Sequence, residues 1–177
     1  MSHVNFERAK DIVAALLKRL RLGVDYVRYT IIVYKRANGY TEYKPLSVDY
    51  DTNTAVATVS LVKYEGGKPI IKPALDGLST RIFDKTNGGR ADAPKVAIVL
   101  TSGDFDSILD AAQAARAVQR SGVRLYGISF GGKKTMDNMI KMFYKGNWQL
   151  LSNLKSFDIF NFITIFNQGE CAWSRWS

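Results

Sequence analysis

The sequence predicts an α/β fold: a doubly wound, mostly parallel sheet with helices on both faces. Three observations predict it. Segments with apolar residues at helical spacing alternate with short β-branched runs along the whole 177 residues. One of those runs, Val96 to Leu100 (VAIVL), is continuously apolar, as a parallel strand covered on both faces must be. Glycine and asparagine breaks separate the segments, and only 4 prolines interrupt them.

Each element follows in order. Phe6, Ala9, Ile12, Val13, Leu16, Leu17 and Leu20 share one face of a helix over residues 5 to 21, with Asn5 as its cap and Gly23 as its stop. Val27 to Tyr34 (VRYTIIVY) reads as a strand. After the Asn38-Gly39 turn, residues 40 to 48 read as a short edge strand, because Pro45 cannot donate to a ladder. Asp51 or Asn53 caps a helix through Val62, and Gly66-Gly67 follows it. Ala74, Leu75, Leu78, Ile82 and Phe83 line the next helix, before an Asn87-Gly88-Gly89 loop. Beyond the VAIVL strand, Ile108, Leu109, Ala112, Ala115 and Val118 form a helix that Gly122 closes. Val123 to Phe130 is a strand, Thr135 caps a short helix, and Trp148 to Leu151 is a last strand. Ser156 caps a final helix rich in Phe157, Phe160, Phe162 and Phe166. Ligands of such folds sit beyond the carboxyl ends of the strands, so the loops after Tyr34, Leu100 and Phe130 are the ones to inspect.

Composition narrows the function. The hydrophobic share of 46% and charged share of 23% exclude disorder, and the length suits one domain. A lone cysteine, Cys171, excludes an internal disulfide framework and a cysteine zinc cluster. A lone histidine, His3, argues against a histidine-based triad. The 25 Lys+Arg against 16 Asp+Glu give a net charge of +9 and an isoelectric point near 9.7. Such charge attracts polyanions. The cations are dispersed, however, through pairs such as Lys35–Arg36, Lys133–Lys134 and Lys141–Lys145, which is also the pattern of a solvated surface. No recognised nucleic-acid fold or basic helix is present. No apolar run is long enough to span a bilayer, and Met1 to Arg8 does not read as a secretory signal.

Two loops invite a chemical reading. Gly127 to Thr135 (GISFGGKKT) approaches a phosphate-binding loop at Gly127, Gly132 and Lys133. Lys134 then occupies the hydroxyl position, and Thr135 comes one residue late. A phosphate- or nucleotide-binding α/β hydrolase using Gly132 and Lys133 is therefore the alternative to a binding module. Asp104 and Asp106 lie after a strand and suggest either a carboxylate pair or, more simply, a cap for the helix starting near Ser107.

The stretch PKVAIVLTSGDFDSILDAAQAARAVQRSGVRLYGISFGG resembles the fourth and fifth strands and intervening helix of a von Willebrand factor type A domain. NFERAKDIVAALLKRL resembles its first helix and VRYTIIVY its second strand. YEGGKPIIKPALDGLSTRIFDKTNGGRADAPKV resembles its Gly-Gly loop and following helix, and WQLLSNLKSFDIFNFI its last strand and helix. The resemblance implies a Rossmann-like A-type domain over residues 1–167 that lacks its first strand, and hence a piece of a longer chain. Metal-binding members use a D-x-S-x-S after that first strand, a threonine after the Gly-Gly loop and the aspartate of a T-D-G. Here the threonine position falls on Ile71, and T-D-G is replaced by Thr101-Ser102-Gly103. The resemblance by itself implies a metal, but Ile71 offers no oxygen and Ser102 only a neutral hydroxyl, so these residues argue for a degenerate site with no metal, and no other cofactor is expected.

The tail, Cys171-Ala172-Trp173-Ser174-Arg175-Trp176-Ser177, resembles the opening of a thrombospondin type 1 repeat over residues 168–177. WSRWS also matches the W-S-x-W-S of cytokine receptors, which belongs in a β-sandwich. Together the resemblances imply a non-enzymatic, extracellular adhesion or matrix module that binds protein or sulfated glycan. The candidate ligand face comprises Lys68, Ser102, Asp104 and Asp106, and the candidate glycan contacts are Trp173, Arg175 and Trp176. Cys171 is expected to form a disulfide outside this stretch of chain. An intracellular A-like scaffold is a third reading.

Overall fold

Ser2, rather than Asn5, starts the first helix. In the computed structural model, which describes residues 1–34, 39–47, 51–67, 70–143 and 148–150, the Ser2 hydroxyl accepts from the Asn5 backbone N–H at 3.2 Å. The helix α1 spans His3–Leu17. It stops short of the expected residue 21 because the chain closes a tight loop there. The Val27 N–H donates to the Arg21 carbonyl, the Gly23 N–H donates to the Val27 carbonyl, and the Arg21 guanidinium stacks 3.5 Å from the Tyr26 ring centre.

The first strand is also shorter than expected. The strand β1, Ile31–Tyr34, pairs antiparallel with β2, Tyr40–Lys44. The ladder begins at Ile31 because its partner there is Lys44, the residue before Pro45. Proline has no N–H to extend the pairing toward Val27. Asp51 caps α2, Thr52–Leu61, through bonds from the Asn53 and Thr54 N–H groups. The helix α3, Lys72–Gly77, carries Pro73 in its first turn and runs on into a π turn over Leu78–Ile82. The π turn is tied to β2 by Arg81, which donates to Tyr40 at 2.8 Å and pairs with Glu42 at 2.9 Å.

The second half follows the expected alternation. The strand β3, Lys95–Thr101, leads to α4, Ile108–Arg120, and β4, Val123–Ser129, pairs with β3 in parallel, from Lys95↔Val123 to Thr101↔Ser129. A short helix, α5 (Met136–Met142), precedes β5, Trp148–Leu150, which pairs in parallel with β4. The described strands thus make two ladders, β1-β2 and β3-β4-β5, where the sequence suggests one sheet. The expected final helix from Ser156 lies outside the described residues.

Alternation along β3 and β4 sorts side chains to two faces. Ala97, Val99, Val123 and Leu125 pack with α4, α5, Ile71 and Leu75 in the main core. Ile98, Leu100, Tyr126 and Ile128 face the other way, with Ile12 of α1. A smaller cluster joins Leu17, Tyr29, Ala55 and Val59. No helix among the described residues is long and apolar enough to cross a membrane.

Candidate functional site

The carboxyl ends of β3 and β4 carry two loops that are knitted together by small polar side chains. Thr101 is buried and its hydroxyl accepts from the Gly103 N–H at 3.0 Å. Gly103 has φ +74°, and a Cβ on it would lie 2.6 Å from the Thr135 side chain, so only glycine fits. Ser129, fully buried at the end of β4, accepts from the Gly131 N–H at 3.1 Å. The side-chain amide of Asn138 crosses to donate to the Gly103 carbonyl at 2.9 Å. The loop after β3 is therefore held from α5.

Ser102 sits at the centre of this edge. Its hydroxyl accepts from the Met1 ammonium group at 3.4 Å, while the Tyr64 hydroxyl donates to the Met1 carbonyl at 2.7 Å. The Tyr64 ring in turn meets His3 and Phe6, each with ring centres 5.3 Å away. The loop after α2, the start of α1 and the loop after β3 converge here. Asp104 and Asp106 are exposed beside them. Neither carboxylate caps α4, contrary to the sequence reading. Ser107 does, by accepting from the Asp110 N–H at 3.3 Å, since a hydroxyl at the cap position itself is the nearer acceptor.

Of the four candidate face residues, the structure brings Ser102, Asp104 and Asp106 onto one loop. Lys68 lies outside the described residues, as do Cys171, Trp173, Arg175 and Trp176. Ile71 is not at this face at all. It is 1% exposed and packs in the main core with Leu75. As ligands for a divalent cation these two positions are poor: Ile71 supplies hydrocarbon and is in the core, and Ser102 supplies one neutral hydroxyl oxygen. Among the described residues no group of three His, Cys, Asp or Glu side chains is gathered.

The phosphate-loop reading meets the same kind of test. Gly127 lies inside β4, where a Cβ would come 2.5 Å from the Phe143 ring; it serves packing. The Gly131 N–H is taken by Ser129 and the Thr135 N–H by the Gly132 carbonyl. Gly132 and Lys133 are exposed on a single 3₁₀ turn. Thr135 does not cap α5, as the sequence suggested; its hydroxyl donates to the Gly132 carbonyl at 2.8 Å. The residues missed by sequence reasoning are Ser129, Thr135 and Asn138 as organisers of the edge. Their only signal was small polar residues placed just after an apolar strand.

A parallel α/β sheet with its polar loops at the carboxyl edge defines a binding domain of the doubly wound class. The family model for the von Willebrand factor type A domain matches residues 1–167, and the chain belongs to that family. It is 26% identical over 128 residues to the human collagen alpha-1(XX) chain, covering 72% of this chain and 10% of that protein. The chain thus spans about a tenth of that relative's length. Among solved structures, proximal thread matrix protein 1 (PTMP1) from the mussel byssus superposes with a TM-score of 0.74 at 16% identity, over 93% of this chain and 42% of that one. The manganese-loaded TRAP protein of Plasmodium vivax superposes with a TM-score of 0.67 at 20% identity, over 80% of this chain and 59% of that one. At these identities the superpositions speak to the fold. One PTMP1 structure has a zinc-occupied MIDAS motif.

Proposed function

We propose that the chain is a non-enzymatic adhesion or matrix module, part of a longer secreted protein, that binds a protein ligand without a metal ion. The observation that carries this reading is the Ser102–Asp106 loop, which exposes Asp104 and Asp106 while Gly103 and Phe105 are buried beneath them. It is held at its base by Thr101 and Asn138, both through Gly103, and offers its two carboxylates to a partner above. Two kinds of relative support an adhesion role, the collagen chain and the byssal matrix protein. The metal-free clause rests on Ile71 being in the core and Ser102 standing where a carboxylate would be needed. The domain over residues 1–167 lacks its first strand in this reading, and residues 168–177 open a thrombospondin-like repeat. That repeat would add Trp173, Arg175 and Trp176 as contacts for a sulfated glycan, with Cys171 paired to a cysteine beyond this chain.

Cell attachment to a surface coated with the chain tests the reading. Attachment is expected to persist in chelator and to fall several-fold when Asp104 and Asp106 are both changed to Ala. Attachment that disappears in chelator overturns the metal-free clause. A titration showing a stoichiometric Mg²⁺ or Mn²⁺ site that Ser102→Ala abolishes does the same. Absence of attachment overturns the adhesion reading. For the glycan, elution from heparin should need more salt than elution from a sulfonate exchanger of matched charge density; equal or lower salt leaves net charge as the whole explanation.

A further inference from the structure

Cations that are dispersed along the sequence are gathered at one edge of the fold. β3 and β4 run parallel with Lys95 opposite Val123, so their amino ends lie side by side. Lys95 opens β3, and Arg124 follows the residue that opens β4. Arg120 ends α4, and the Gly122 turn carries the chain from it into β4. β1 points the same way as β3, since the Tyr34 hydroxyl at its carboxyl end donates to the Leu100 carbonyl at 3.2 Å. The loop after α1 therefore reaches the same amino edge. Its Tyr26 carbonyl accepts from Arg90 at 2.6 Å, and its Arg28 donates to the Gly88 carbonyl at 2.9 Å, just ahead of β3. That loop carries Lys18, Arg19 and Arg21. Arg21 is exposed and lies on the neutral Tyr26 ring, to whose hydroxyl it also donates, so its charge is not cancelled. Lys18 and Arg120 are exposed, and among the described residues neither has a carboxylate within ion-pair distance. The acids of residues 18–28, 88–95 and 120–124 are Asp25 and Asp92. None of the six cations Lys18, Arg19, Arg21, Lys95, Arg120 and Arg124 lines the cleft between β1 and β3. The carboxyl edge has the opposite character. It carries Asp104 and Asp106, with Asp110 and Asp137 in the first turns of α4 and α5.

We propose that the amino edge of the sheet binds a sulfated glycan chain, laid from the end of α1 over the starts of β3 and β4 to the end of α4. The two helices pack on opposite faces of the sheet, so the cations form a band around its edge and not a pocket. A single sulfate or phosphate group reaches one or two members of such a band. A polymer with anionic groups along its length reaches each in turn, and counterion release supplies the affinity. The acids at the carboxyl edge turn the same polymer toward the amino edge. Nucleic acid offers similar charge, but it gains from bases stacked on aromatic rings, and the Tyr26 ring already has Arg21 on its face. The choice of a glycan rests on the extracellular reading above. The site itself goes beyond that reading, because it lies in the domain and not at Trp173, Arg175 and Trp176.

Heparin affinity of the full chain, measured across a range of salt, tests it. One variant combines Lys18→Gln with Arg120→Gln. A control of equal net charge combines Arg8→Gln with Lys63→Gln, two exposed cations away from the amino edge. The edge variant is expected to bind heparin about tenfold or more weakly at about 0.15 M salt. Its slope of log affinity against log salt should fall by about two. The control is expected to keep the slope of the unmodified chain. Equal losses in both variants mean that net charge alone holds the polymer, and overturn the proposal. Binding that survives the edge variant but is lost when Trp173→Ala, Arg175→Gln and Trp176→Ala are combined also overturns it, and leaves the tail contacts standing. Single-stranded DNA that binds as tightly as heparin, with the same loss of slope in the edge variant, overturns the choice of a glycan. No heparin binding by the unmodified chain removes both glycan sites and leaves the cell-attachment result to decide the adhesion reading on its own.

Discussion

The sheet β3-β4-β5 with its helices and the β1-β2 side of the molecule are built on different terms. Around β3 and β4 each strand has a helix following it, and the core beneath α4 and α5 is buried: Ala115, Val118 and Met139 fully, and Leu125 to 1% exposure, although Ile71, Leu75, Ala97 and Val99 of the same cluster also line the cleft of about 820 Å³ beside β3. On the other side the cluster of Leu17, Tyr29, Ala55 and Val59 is small, and Leu17 also lines the cleft. A strand–helix–strand unit brings its own partners by a short right-handed crossover. A two-stranded antiparallel ladder does not, and is marginal without further packing. The difference teaches that the β3-β4-β5 side carries its own packing in its crossover helices, whereas the β1-β2 side has only the small cluster around Leu17 and Val59.

The sharpest way to break that contrast is to make the same substitution on both sides. Leu125→Ala opens a cavity in a closed core and is expected to cost about 4–5 kcal/mol, the upper part of the usual range. Leu17→Ala only enlarges a space that already exists, so its expected cost is near about 2 kcal/mol. Urea unfolding of both variants measures the pair. Equal losses would mean that the two cores are equally closed and that the cleft is no weakness.

A smaller effect probes the closed side by overfilling. Gly127→Ala would place a methyl group 2.5 Å from the Phe143 ring, inside a fully formed strand. The expected cost is about 1–3 kcal/mol. Combining it with Phe143→Leu should cost less than the sum of the two single changes, because the smaller side chain vacates the contact. Additive losses in a double-mutant cycle would remove Phe143 as the reason for glycine in β4.

These contrasts follow how much was legible. The β3–α4–β4 unit could be read almost to the residue, because VAIVL is continuously apolar, VRLYGIS is rich in strand formers and glycine closes the helix between them. Gly122, with φ +85°, stands where the stop was expected. The errors fall where tertiary contacts overrule local pattern. The apolar periodicity of α1 runs on through Leu20, but the Arg21–Val27 loop claims the backbone there. VRYTIIVY has strand propensity throughout, yet pairing starts only at Ile31, because the partner strand ends before Pro45. At the candidate site, the family resemblance marked Ile71 and Ser102 as positions to inspect, and the structure places Ile71 in the core and Ser102 at the carboxyl edge of β3. The bond from Asn138 to Gly103 was not legible, since it joins residues 35 apart along the chain and becomes visible only once β3 and β4 lie in register.

The smallest expected effect is a pH dependence at Tyr34, which bridges the two sides. Burial pushes its phenol up to about 12, partly offset by a hydrogen bond with Thr101. The unfolded chain titrates near its ordinary value of about 10. Below that value both states hold the neutral phenol, and its contribution is fully present. As pH rises from the unfolded value toward the folded one, the unfolded chain ionises first, and the contribution is lost. At neutral pH, Tyr34→Phe should cost about 0.5–1.5 kcal/mol through loss of the bond to the Leu100 carbonyl. That cost should shrink progressively above about pH 10. Tyr34→Phe leaves every other ionisable side chain in place, so the difference between the two urea curves isolates Tyr34. A gap that stays constant through that alkaline range would mean that the phenol is not held neutral across the cleft. Tyr34 would then not bridge the two sides.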